Sequence, residues 1–395
     1  MLEATLREQT IGLLKASGRS DVPPFMVMDV MAAAARIEAA GGHVIHMEVG
    51  QPSAPAPKTA ISAARAALDA ARIDYTSALG IPSLRNRISR HYRDTYGLAV
   101  DAERIVITTG SSGAFILSFL AMFEPGDRVA VTVPGYPPYR HILTALGCEP
   151  VLIETSGETR HVLTGEALLA AHRKTPLKGV LVGSPANPTG TMMSREAMTD
   201  LISAAEGAGI RFISDEIYHG LDYAFPAVTA AELSSTAFVI NSFSKYFCMT
   251  GWRVGWMVVP EPMVRPIERL QQNLAISVPT LSQIAAEAAF DGREEMEAVK
   301  RGYLENRRIL VEGLPRAGLT RFLPVDGAFY LYADVSDFTS DSFKFAGEML
   351  EKAGVAATPG VDFDPVHGHR FIRFSYARSA DEMREAVERI TRWLG

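Results

Sequence analysis

Asn241-Ser242-Phe243-Ser244-Lys245-Tyr246-Phe247 follows an apolar stretch at residues 237–240 and continues into Thr250-Gly251-Trp252-Arg253-Val254-Gly255. A strand-length apolar run thus ends in a lysine with hydroxyls one and three positions before it. An arginine between glycines follows eight positions after it. A lysine framed by apolar and aromatic residues can lose its proton, because desolvation disfavours the ammonium. A neutral amine can then attack an aldehyde and form a Schiff base. The same run also reads as an exposed loop lysine with a solvated head, so its surroundings must decide.

Working outward from the run, apolar and β-branched segments of strand length recur at residues 104–109, 128–133, 150–154, 179–183, 210–214 and 238–242. Stretches of helical composition fall between most of them, at 114–123, 138–146, 165–173 and 195–208. Alternation of this kind predicts a mostly parallel sheet covered on both faces. Residues 254–259 form a further strand candidate, close enough to the previous one to run antiparallel. Before the sheet, residues 27–40 and 59–71 are helical in composition, residues 43–49 a short strand, and residues 81–96 a helix opened by Pro82. After it, residues 260–289 and 293–314 read as long helical segments. The tail from 320 mixes strands at 328–333 and 371–375 with helices at 342–353 and 380–394, as a separate α+β unit.

In open parallel sheets ligands bind beyond the carboxyl ends of the strands. Polar, aromatic and glycine residues follow the strands here. Gly110-Ser111-Ser112-Gly113 precedes a helix, whose free N–H groups and dipole suit a phosphate. Pro134-Gly135-Tyr136 offers a ring that could stack on a flat ligand or serve the core. Asn187, between prolines, could donate to a ring oxygen or form an Asx turn. Asp215 could pair with a ring nitrogen or cap a helix, and Tyr218 follows it by three. A phosphate cradle, a stacking ring, an acid and an amine together describe the needs of pyridoxal phosphate, in which the acid keeps the pyridine nitrogen protonated.

With these residues in view, the sequence resembles the class I/II aminotransferases, the aspartate-aminotransferase-like family of fold type I pyridoxal-phosphate enzymes. The resemblance is carried by Ser184-Pro185-Ala186-Asn187-Pro188-Thr189-Gly190, by Asp215-Glu216-Ile217-Tyr218, by Ser242-Phe243-Ser244-Lys245 with Gly251-Trp252-Arg253-Val254-Gly255, and by Phe371-Ile372-Arg373-Phe374-Ser375-Tyr376-Ala377. It runs in family order from about residue 25 to the C-terminus. The fold it implies is α/β, a mostly parallel seven-stranded sheet sandwiched by helices, with a smaller α+β domain. Residues 50–290 would form the large domain, and residues 1–49 with 291–395 the small one.

The resemblance also implies roles. Lys245 would carry the cofactor as a Schiff base and then move the proton at the substrate Cα, which requires a neutral amine. Asp215 would hold the pyridinium, Tyr218 and Asn187 the 3-oxygen, and Tyr136 would stack on the ring. Ser111 and Ser112 through their backbone, the Ser242 hydroxyl and Arg253 would bind phosphate. Arg373 would clamp the substrate carboxylate, for which a guanidinium fork suits better than an ammonium, with Gly50 approaching through its backbone and Asn187 nearby. Tyr75 matches the family tyrosine that reaches the neighbouring subunit's phosphate, so a homodimer with shared active sites is implied. Residues 273–283 resemble a segment that often crosses that interface.

Composition fits this picture. Hydrophobic residues make up 47% and charged residues 21% of 395, with net charge −6, which argues against nucleic acid or an anionic membrane as partner. Two cysteines, Cys148 and Cys248, exclude a disulfide scaffold and suit a reducing compartment; Cys248 reads as packing. Residues 1–18 lack the apolar core of a signal peptide and no stretch approaches a membrane span, so a cytoplasmic enzyme is expected. His43 with His46, and His367 with His369, could suggest metal but lack a third ligand nearby, and no metal is expected. The segment resembling the family's substrate wall, Phe25-Met26-Val27-Met28, is apolar and favours neutral amino acids as donors to a 2-oxo acid, in a ping-pong reaction. Two alternatives share the cofactor residues: a β-eliminating carbon–sulfur lyase, and a non-enzymatic sensor of the cofactor. A sensor would carry a basic DNA-binding module, which neither the short preceding stretch nor the negative charge supports.

Overall fold

The computed structural model describes residues 14–70 and 73–395. Most of the N-terminal stretch 1–18, and Ala71 at the end of the expected helix 59–71, lie outside the described residues. Strand β1 (Ile45–His46) comes first, followed by β2 (Ile105–Thr108), β3 (Arg128–Val133), β4 (Glu149–Glu154), β5 (Gly179–Gly183), β6 (Arg211–Asp215), β7 (Phe238–Ser242) and β8 (Gly255–Val258). The last seven form one sheet in the order β2-β8-β7-β6-β5-β3-β4. The pairs β4–β3, β3–β5, β5–β6 and β6–β7 are parallel.

Helices Gly110–Met122, Pro137–Ala145, Gly165–Lys174 and Arg195–Gly207 supply the crossovers that parallel strands require. Only β8 reverses, pairing antiparallel with both β7 and β2. The segment joining it to β7 holds no helix beyond one 3₁₀ turn, Thr250–Trp252, too short to cross back. This reversal has a consequence for the site. It brings Gly255 into register with Ser242 and Thr108, so Arg253 returns to the carboxyl edge of the sheet.

Alternation along each strand splits its apolar side chains between the two faces. Ile105, Ile107, Val180, Val182, Phe212, Val239 and Trp256 enter one buried core. Val106, Leu181, Ile213, Ile240 and Met257, between them in sequence, enter the other. Both faces are therefore covered by helices, as doubly buried strands demand.

A second unit holds β9 (Arg321–Phe322), β10 (Tyr330–Asp334), β11 (Val355–Ala356), β12 (Thr358–Pro359) and β13 (Phe371–Ser375). Its four-stranded sheet runs β12-β13-β10-β9, all antiparallel. Helices Arg293–Gly313, Ser342–Ala353 and Ala380–Leu394 pack on a core that includes Leu310, Phe329, Phe374, Met383 and Ile390. The last helix opens with a reciprocal capping box between Ser379 and Glu382. β1 joins this unit by pairing parallel with β11, so a segment near the start of the chain is carried by its end.

Two expectations are corrected. The strand expected over 43–49 reduces to Ile45–His46, because only those residues pair with β11. The long helix expected over 260–289 is two, Glu261–Leu274 and Thr280–Ala289. Between them Ile276 turns into the left-handed region at φ 62, and Pro279 restricts Val278 before it. Among the described residues no helix is long and apolar enough to cross a membrane.

Candidate active site

The carboxyl edge of the large sheet faces the small unit across a cavity of about 220 Å3. Each wall follows from a strand end. After β2, helix Gly110–Met122 starts with no side chain capping it, so its first N–H groups stay open toward the cavity beside Ser111. Gly110 has φ +66, and a Cβ there would lie 2.9 Å from the Arg253 guanidinium carbon. A Cβ on Gly255 would come within 3.1 Å of the Gly110 carbonyl carbon and 3.2 Å of Ser111 N. Glycine at both positions lets β8, the helix start and the arginine close on one another. Arg253, itself left-handed at φ 50, is steadied by its Nη1 donating to Thr250 O at 3.0 Å.

After β3, Tyr136 borders the cavity, meeting Phe25 edge-on at 5.9 Å and Tyr139 at 5.2 Å between ring centroids. At the end of β6, Asp215 is buried and accepts from Ile217 N at 3.1 Å and from the Tyr139 hydroxyl. Burial pushes its carboxyl up to about 6, and those two donors oppose the rise. Asn187, after β5, accepts on Oδ1 from Arg373 Nη1 at 3.0 Å.

Lys245 donates from Nζ to the Gly50 carbonyl at 2.6 Å. Burial, with the positive charges of Arg373 and Arg253, lowers its ammonium to about 8, and Asp215 opposes the shift. Tyr218 shares a 2.7 Å hydrogen bond with Tyr330, whose hydroxyl stands where a side chain on Gly50 would go. Arg373, on β13 opposite Thr358, donates to Thr358 Oγ1 at 3.1 Å and to the Glu48 carbonyl. Its guanidinium lies 4.4 Å from the Tyr330 ring centroid and 4.6 Å from that of Phe363.

Thus Gly50, Ser111, Tyr136, Asn187, Asp215, Tyr218, Lys245, Arg253 and Arg373 border one cavity. Ser242 does not. Its hydroxyl donates to Ser244 Oγ at 2.8 Å, and Ser244 does border the cavity. Ser112 sits in the first turn of its helix without bordering the cavity, and Tyr75 lies at the surface with 80% of its area exposed. The sequence reading passed over Tyr139, Ile217, Thr250 and Tyr330, all of which border the cavity. Tyr139 had a signal, standing three residues after Tyr136 in a helix's first turn and so on the same face. Tyr330 had none, because its partner lies 112 residues away.

The histidines and Cys248 lie elsewhere. His46 is held between Glu48, at 2.7 Å, and Glu38, at 3.1 Å, and His367 meets Glu154 at 3.0 Å. Burial pushes the Cys248 thiol up to about 12, which leaves it unreactive. Among the described residues no cluster of three ligating side chains could hold a metal.

The arrangement offers an anion cradle at one end, an aromatic-sided slot ending in a buried acid, an amine over the slot and a fixed guanidinium opposite. The sequence pattern of the family described as Aminotransferase class I and II matches residues 42–390. The chain is 48% identical over 380 residues to the valine–pyruvate aminotransferase of Mycobacterium tuberculosis, covering 95% of this chain and 97% of that protein. Its structure superposes on that of an aminotransferase from Mycobacterium tuberculosis with TM-score 0.94 at 47% identity, covering 96% and 99% of the two chains. Aspartate aminotransferase from Thermus thermophilus, solved with maleate, gives TM-score 0.90 at 31% identity with the same coverage.

Proposed function

The chain belongs to the class I and II aminotransferases, a pyridoxal-phosphate-dependent family, and we propose that it moves the amino group of a neutral, apolar amino acid to a 2-oxo acid, with Lys245 as the catalytic amine. Valine as donor and pyruvate as acceptor are the substrates we propose, in keeping with the name of the 48% identical relative.

The residues present fit pyridoxal phosphate. The glycine-lined approach of Gly110, Gly255 and Arg253 would take a phosphate, with the open N–H groups of Ser111 and Ser112 beside it. Ser242 would act there through Ser244, which borders the cavity. Asp215 would face the ring nitrogen, Tyr136 and Ile217 its two sides, and Tyr218 and Asn187 its oxygen. Accepting from Arg373 with its carbonyl oxygen, Asn187 keeps its NH2 to donate. When bound, the cofactor supplies an aldehyde for an amine to attack and a protonated ring that draws electrons from the substrate Cα.

The protein's own groups would do the rest. Lys245, lowered to about 8, holds an appreciable neutral fraction near neutral pH and would shuttle the Cα proton. Arg373, fixed by Asn187, Thr358 and two aromatic faces, would orient the substrate carboxylate. The amino group would be left with the enzyme by the donor and collected by the oxo acid in a second half-reaction.

A single observation supports the choice of a neutral donor. Lys245, Arg253 and Arg373 are the only cations bordering the cavity among the described residues, and each has a use there. The part of the wall formed by Phe25, Val27 and Met28 is apolar, so a second carboxylate there would be buried without a counter-charge. A homodimer is part of the proposal. Tyr75 is flanked by exposed Ile73, Leu274 and Ile276, and the two segments are tied by Thr280 Oγ1 donating to Asp74 O at 2.5 Å. That face would let Tyr75 reach the other copy's phosphate.

The test is to purify the protein, follow its visible absorbance and present a panel of amino acids. Valine, alanine and other neutral donors should bleach the band and pyruvate restore it. An exclusive response to aspartate or glutamate would overturn the choice of donor, and an unaltered band in Lys245→Ala would overturn the role of the lysine.

A further inference from the structure

Helix Met26–Ala39 carries the apolar wall in its first turn but provides no cap for itself. Phe25 stands at the N-cap position and offers no side-chain acceptor. Its first N–H goes instead to a carboxylate 336 positions away: Met26 N donates to Asp362 Oδ1 at 3.3 Å. Asp362 is 2% exposed, and its other oxygen, Oδ2, has no hydrogen-bond partner among the described residues.

A buried carboxylate survives in such a place only if positive charge faces it. Burial raises the Asp362 carboxyl, and the N–H at the helix N-terminus with the charges of Arg373 and Arg140 opposes the rise. Arg140, on helix Pro137–Ala145, also donates from Nη2 to the Asp362 carbonyl at 2.6 Å. One residue of the small unit therefore grips both the wall helix and the layer covering the large sheet. Further along the helix, Val30, Ala33, Ala34 and Ile37 pack against Val44, Leu350 and Ala356, so Asp362 acts on its first turn, where the wall residues lie.

We propose that Asp362 is a positioning residue for substrate specificity: by capping the helix at Met26 it holds Phe25, Val27 and Met28 in place against the substrate side chain. The inference rests on the reading of this cavity as the site of transamination. A donor with a branched side chain has much to gain from a fixed wall, whereas alanine has one methyl to place there.

Asp362→Asn and Asp362→Ala test it in the full-length, cofactor-loaded protein. Single-turnover bleaching of the visible band is measured with valine and with alanine. The valine-to-alanine rate ratio should fall about five- to thirty-fold in Asp362→Ala, the factor a lost cap makes, and less in the amide variant, which keeps an acceptor. Equal loss for both donors, as a merely structural role would give, overturns the proposal. Hydrogen–deuterium exchange gives a readout without turnover. Residues 26–30 should exchange faster in Asp362→Ala while residues 114–122 stay as they are, and unchanged exchange at 26–30 also overturns it. A wild-type protein blind to both amino acids would overturn the choice of donor instead, and exchange would still decide the role of Asp362.

Discussion

Replacing Lys245 by methionine should destroy the activity and yet stabilise the cofactor-free protein at pH 7. The drop of its ammonium from 10.5 to about 8 means that folding buries a charge the unfolded chain holds in water. At pH 7 that penalty is about 3 kcal/mol. Methionine has similar length and no charge, so the penalty disappears. Against this, the Gly50 carbonyl loses its 2.6 Å donor, which costs about 1–2 kcal/mol. The net gain is about 1–2 kcal/mol.

The pH dependence gives the sharper check. Between about 8 and 10.5 the folded wild type binds fewer protons at Lys245 than the unfolded chain does, so its stability rises with pH through that window. Below about 8 both states are protonated there and the margin is constant. The advantage of Lys245→Met should therefore hold from pH 6 to 8 and shrink to nothing, or reverse, by pH 10. Urea unfolding of both cofactor-stripped proteins at fixed concentration measures this. A variant less stable than wild type at pH 7, or a margin that widens from pH 8 to 10, would refute the claim that the surroundings of Lys245 lower its ammonium.

Three other perturbations follow from the same contacts. Arg373→Lys gives up the fork that holds Asn187 and Thr358 together and should raise KM for the amino donor by about 10- to 100-fold in steady-state assays. Gly50→Ala would drive a methyl into the Tyr330 hydroxyl beside the Lys245 amine; kcat/KM should fall at least about tenfold with circular dichroism unchanged. Tyr139→Phe removes a donor that favours ionised Asp215, so in the cofactor-free protein the carboxyl should titrate above its value of about 6. A carbon-13 NMR titration of Asp215 reads this, and an unmoved midpoint would deny the phenol its part.

Much of the frame was legible because strand and helix signals agreed with their neighbours. Residues 128–133, 179–183, 238–242 and 371–375 form strands with the bounds read from sequence, each being a β-branched or aromatic run closed by a turn residue or a polar edge. The break after Leu274 was not, since alanines on either side of Pro279 read as one helix until Ile276 is seen to turn left-handed. At the site, residues inside local motifs such as Asp215-Glu216-Ile217-Tyr218 could be singled out because the strand end fixes where they point. Tyr139, Tyr330 and Asp362 could not, because each works through a partner 76, 112 or 336 positions away. Ser242 shows the opposite limit: its spacing from Lys245 is read at once, while its hydroxyl turns inward to Ser244.

The two units are joined at the residues that would act on the substrate. Lys245 comes from the large sheet and leans on Gly50, whose chain is carried by the small unit through β1 and β11. Arg373 comes from the small sheet and holds Asn187 of the large one. Lys245 and Arg373 are thus each steadied from across the cavity. A shift of one unit against the other would loosen the amine and the guanidinium together. The guanidinium has little freedom to lose, lying between the Tyr330 and Phe363 rings with its Nη atoms engaged. Its ordering is complete on folding, so a carboxylate arriving there need not immobilise it. The amine differs, since among the described residues its only hydrogen bond is to one carbonyl and the cavity opens beside it. A clamp held by several bonds and a base held by one suit a reaction in which one group must hold the substrate still and the other would carry a proton between two of its atoms.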